Sequence, residues 1–171
     1  MIHPSRQYTM KTGRQLLIKR EYPLRHEISS IEKGIGYILP SHYKDFIADY
    51  KQGEDGLNME REYREDINYN DITGPAIYSM GLKKEIIVDY FYEAEELVRT
   101  WQSIDQFEET GERGLIKIAA LGSDPNGGLY VGMVNNNKDE IWRVNWDMDN
   151  EEVFEKVTNS IWYFIDGLKQ G

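Results

Sequence analysis

An α+β fold in a single domain is the class this chain predicts. Three features point to it: two helical apolar periods joined by a Leu-Pro hinge, strand-like runs separated by strong turns in the second half, and a wide apolar stripe near the C-terminus. A length of 171 residues is ample for one sizeable core and short for two.

Taken in order, residues 4–25 carry Arg6, Lys11, Arg14, Lys19, Arg20 and Arg25 around one apolar cluster, Leu16-Leu17-Ile18. This reads as a short strand or extended arm whose solvated charges discourage edge pairing. Residues 1–26 thus form a basic extension packing on or flanking a domain of residues 27–171. Ile28, Ile31 and Ile35 then repeat at helical spacing, and Gly34 and Gly36 supply the permissive backbone with which helices end. Leu39-Pro40 restarts the chain, because proline is tolerated in a first helical turn. Ser41 is placed to cap a second helix over 41–51, on which Leu39, Tyr43, Phe46, Ile47 and Tyr50 share a face, and Gly53 and Gly56 close the unit.

Glu54 to Asp71 holds seven acidic and two basic residues with poor apolar period, predicting a polar surface loop or short surface helix. Thr73-Gly74-Pro75 punctuates before a strand at Ala76–Met80. Ala94, Leu97, Val98, Trp101 and Ile104 define a helix from Glu93 to about Phe107, with Trp101 in the core, and Glu108–Gly114 is a turn. Leu115–Ala119 and Leu129–Val134 are apolar runs, and Trp142, Val144 and Trp146 alternate with Arg143 and Asn145 at strand period. Asp124-Pro125-Asn126-Gly127-Gly128 and Asn135–Asp139 link them as an antiparallel meander. Asp149 with Glu152 forms a capping box opening a final helix that carries Val153, Phe154, Val157, Ile161, Phe164, Ile165 and Leu168. Burial of Phe46, Trp101, Trp162 and Phe164 contributes about 2 kcal/mol each.

The stretch ISSIEKGIGYILPSHYKDFIADYKQGEDG resembles the N-terminal signature of the SUKH superfamily, which holds fungal cell-wall synthesis regulators of the Smi/Knr type and many immunity proteins against polymorphic toxins. Glu32, Gly36, Leu39, Pro40, Tyr43, Phe46 and Ile47 match the motif, while Gln52-Gly53-Glu54 stands where the family most often has Asn-Gly-Gly. LIKIAALGSDPNGGLYVGMV and EIWRVNWD are similar to its late strands and WYFIDGL to its closing helix, so the likeness runs from about Ile28 to Leu168. It implies a twisted, mainly antiparallel sheet with helices packed largely on one side. It also implies a protein-binding role, either as an immunity protein occluding a cognate toxin such as a nuclease, or as a scaffold or regulator of cell-envelope synthesis.

Charge bears on the partner independently. The formal net is −10, and residues 1–26 hold six Lys/Arg against one acidic residue, which leaves fifteen net negative charges on the remainder. Such a body is a poor partner for free nucleic acid and a good one for a basic protein, whose cationic groove it is steered toward. Glu60, Glu62, Glu65 and Asp66, with Tyr63 and Tyr69 as aromatic anchors, are the candidate contact patch. No apolar run reaches the roughly 18 residues of a membrane span, and the N-terminus lacks a secretory stretch, so a cytoplasmic protein without membrane contact is expected. The absence of cysteine excludes disulfides, thiolate metal sites and cysteine nucleophiles.

Chemical motifs find little purchase. Gly122–Gly128 has neither the Lys-Ser/Thr pair nor the following helix of a phosphate cradle, and reads as a hairpin turn. Asp147-x-Asp149 starts like a calcium loop, but Glu152 and Thr158 occupy positions that need glycine and glutamate. His3, His26 and His42 are isolated from one another, and no Gly-x-Ser-x-Gly occurs. No catalytic residue, cofactor or metal ligand is therefore assigned. A hydrolase built on a carboxylate pair among the 30 acidic residues is a third class, which the sequence does not locate. It does not give the oligomeric state either.

Overall fold

The isoleucine period at 28–35 forms helix α1 (Arg25–Ile35) in a computed structural model that describes residues 13–52, 76–81, 84–103, 108–149 and 153–170. Ile28, Ile31 and Ile35 are buried, and Gly36 ends the helix at φ 76°, a left-handed conformation that glycine adopts without strain. Helix α2 (Ser41–Asp49) buries Tyr43, Phe46, Ile47 and Ala48. It runs into strand β2 (Tyr50–Gln52), which pairs antiparallel with β1 (Leu17–Lys19) behind a 3-10 turn at Gly13–Leu16. Leu16 is buried, and the Arg20 guanidinium donates to the carbonyls of Ile47 and Tyr50 and to Glu93. The described part of the basic segment is thus packed onto the end of α2, where cations suit the helix dipole.

Among the described residues, seven strands follow in one sheet: β3 (Ala76–Ser79), β4 (Glu85–Phe91), β5 (Leu115–Leu121), β6 (Gly127–Gly132), β7 (Ile141–Asn145), β8 (Phe154–Thr158) and β9 (Leu168–Gln170). Their order is β8-β7-β6-β5-β4-β3-β9 and every pairing is antiparallel. Helices α3 (Ala94–Gln102), α4 (Glu108–Glu112) and α5 (Ile161–Gly167) complete the α+β architecture. The main core joins α1, α2, α3 and α5 to one sheet face through Ile86, Val88, Ile118, Leu129, Val131 and Ile141. Strand alternation sends Tyr130 and Val144 to the other face, where they meet Trp142, Trp146 and Phe154. Among the described residues, no helix is long and apolar enough to cross a membrane.

Several expectations change. The final helix is divided: Phe154–Thr158 is a strand on β7, and α5 begins only after Ser160, whose hydroxyl accepts from the Trp162 N–H at 3.2 Å. A short apolar run satisfies helical and strand periods alike, and the open edge of β7 decides between them. Ser41 does not cap α2; the N-cap is Pro40 and its side chain makes no capping bond. Glu108–Glu112 is a short helix before the turn at Gly114, and β2, β4 and β9 form where the pattern placed no strand. The turn at 122–128 is a β5–β6 hairpin. A Cβ on Gly127 would lie 1.9 Å from the Val144 backbone carbonyl oxygen, so close strand packing demands this glycine.

Candidate functional site

The Leu-Pro hinge is held by two carboxylates. Glu32, on the last turns of α1, accepts the Leu39 N–H at 2.8 Å and meets Lys44 Nζ at 3.4 Å, bracing α1 against the start of α2. Asp139, in the β6–β7 turn, accepts the N–H groups of His42 and Tyr43 with its two oxygens, at 3.4 and 3.2 Å. A residue almost a hundred positions away therefore caps α2, and it does so from φ 67°, a left-handed conformation that aspartate tolerates. Leu39, Tyr43, Phe46 and Ile47 point inward, and Phe46 packs edge-on against Phe91 and Trp162.

His42 Nδ1 lies 2.9 Å from Ser160 Oγ, so Asp139, His42 and Ser160 meet at one place. The arrangement is a capping network in its contacts. Asp139 is engaged by backbone N–H groups instead of the imidazole, and Ser160, 2% exposed, accepts from the Trp162 N–H. Hydrolytic use of a Ser-His-Asp set needs the carboxylate on the imidazole and the hydroxyl open to substrate.

A second polar knot closes the β5–β6 hairpin. The Asp124 side chain is fully buried and takes two 2.7 Å bonds from Arg143 and one of 2.9 Å from Asn145. These hydrogen bonds raise the Arg143 pKa above its usual value, outweighing burial, which acts in the opposite direction. Bidentate geometry and near-complete burial make this an internal brace.

A surface trough runs between α1 and α3, with a volume of about 740 Å³ and an open mouth. The helices approach tightly at Gly34, where an added Cβ would sit 2.8 Å from Val98 Cγ1, and the Gln102 side chain donates to the Gly34 carbonyl. Ile31, Ala94 and Val98 give the trough an apolar floor, while Glu27, Glu95 and Arg99 line its exposed rim. The sequence signal for this trough is Gly34, a small residue beside the apolar face of α1.

The motif residues Glu32, Gly36, Leu39, Pro40, Tyr43, Phe46 and Ile47 are brought together at the hinge. The contact patch Glu60, Glu62, Tyr63, Glu65, Asp66 and Tyr69 lies outside the described residues, as do Gly53, Gly56 and the 54–71 segment. Trp101 is half-buried, packing edge-on against Tyr37 beside the core. Among the described residues no cluster of three or more His, Asp or Glu is arranged to hold a metal ion. Of the family models and curated proteins compared with the chain, none matches.

Proposed function

We propose that this protein is a binding module of the immunity type, a SUKH-like domain that neutralises a basic toxin by covering its catalytic groove. The observation that carries the reading is the surplus of fifteen negative charges on residues 27–171. An enzyme acting on nucleic acid presents a cationic groove, and an acidic body is drawn to it at rates well above those of neutral pairs. Covering a groove requires shape and charge, and no chemistry. The Leu-Pro hinge supports the same reading, because Glu32 and Gly36, two of the residues that carry the resemblance, each have a definite structural job in it.

The test is co-expression. The C-terminal domain of the protein encoded immediately upstream of this chain is expressed in a sensitive host with and without the protein, and survival is scored. Rescue by the protein, with a complex that co-purifies, is the expected result. Unaltered killing at matched expression would remove the immunity reading.

A further inference from the structure

We infer that the trough between α1 and α3 docks a segment of a basic protein, laying the aliphatic stem of a lysine or arginine on Ile31, Ala94 and Val98 and setting its cationic head between Glu27 and Glu95. The inference rests on the protein-binding reading above and names a surface for it.

Shape excludes an enclosed small-molecule site. At about 740 Å³ the volume would suit a ligand, but pockets that hold small molecules surround most of their surface, and this one is open along two helices. An open channel between helices is instead the geometry in which peptide segments are taken up. Charge selects the segment. Glu27 stands on one wall and Glu95 on the other, both exposed, and among the described residues neither side chain has a hydrogen bond or ion pair. Two free carboxylates flanking an apolar floor match a side chain with a long hydrocarbon stem and a charged tip, since lysine and arginine bury the stem and keep the head at the surface. Arg99, on the rim, likewise has no ion pair among the described residues. A chain segment meets that need as well, because its backbone carbonyls are acceptors, whereas a simple cation would leave Arg99 opposed.

Two fluorescent amphipathic peptides with identical leucine spacing, one with lysine flanks and one with glutamate flanks, are titrated into the full chain by anisotropy. The lysine peptide is expected to bind and the glutamate peptide to bind at least about tenfold more weakly. The double variant E27K/E95K should weaken the lysine peptide by about tenfold, because two ion pairs become repulsions. The control E85K/D149K makes the same change of net charge at exposed residues that do not line the trough, and should leave the affinity within about twofold. No binding of the lysine peptide, or an equal loss with the control pair, overturns the inference. Failure here with rescue intact in the co-expression test removes the trough alone. Failure of rescue with the peptide result intact removes the toxin reading and leaves the trough standing.

Discussion

Removing the Asp124 carboxylate strands Arg143, a cation whose side chain is only 17% exposed, without its counter-ion. Asp124→Ala is therefore expected to lose about 3–5 kcal/mol in urea denaturation, and the double variant D124A/R143M to regain part of it, because methionine leaves no buried cation unmatched while the Asn145 amide still lacks its acceptor. A loss below about 1 kcal/mol would show that water reaches the guanidinium. Tyr43 and Tyr130 carry a second residue-level prediction. Burial, the main cause, raises both phenol pKa values well above the usual tyrosine range, with smaller contributions from Glu93 and Tyr92. Above about pH 10 the unfolded chain releases these protons while the folded one keeps them, so stability is intact below that pH and falls as pH rises, by up to about 1.4 kcal/mol per unit for each tyrosine. Y43F and Y130F should each remove one proton's worth of that slope between pH 10 and 11. The Tyr43 hydroxyl is also buried without a partner among the described residues, so Y43F should gain stability at pH 7, on the order of 1 kcal/mol.

At the scale of elements, Gly34 decides how α1 sits on α3. Alanine there would improve helix propensity by about 1 kcal/mol, yet its Cβ would fall 2.8 Å from Val98 Cγ1, and the stiff valine side chain yields little. G34A is expected to destabilise the protein, and the same change in a V98A background to stabilise it. A thermal-melt cycle in which the two effects add would refute the close approach. This contact also shows what was legible beforehand. Ile28, Ile31 and Ile35 announce α1, and Trp142, Val144 and Trp146 announce β7, because in each the apolar side chains repeat at the element's own period. Strand β8 reads as helix from sequence because Phe154 and Val157 fit the helical stripe of α5 equally well, and only pairing with β7 separates them. Strands β2 and β9, three residues each, are too short to display a period. The cap on α2 was illegible for another reason: Asp139 reaches His42 and Tyr43 across the fold, and no local window contains both partners. The trough was hidden likewise, since α1 and α3 are separated by some sixty residues of chain.

For the molecule as a whole, acid surplus opposes folding. A chain at −10 repels itself in the compact state, and the Debye length near 10 Å at 0.1 M salt means that ordinary ionic strength only partly screens the repulsion. Stability should accordingly rise between about 10 and 150 mM sodium chloride. Reversing Glu60, Glu62, Glu65 and Asp66 to lysine, each change adding two charges, moves the net from −10 to −2 and should raise the low-salt melting temperature while flattening its salt dependence. That same variant separates a working surface from a merely solvated one. If these acids steer the protein to a basic partner, the more stable variant associates more slowly with the toxin domain, and its rate loses most of its sensitivity to salt. If they only keep the chain dissolved, stability rises and association is unchanged, which would remove the patch as a contact surface. Stopped-flow association at several salt concentrations, run beside melts of the same samples, reads both effects at once.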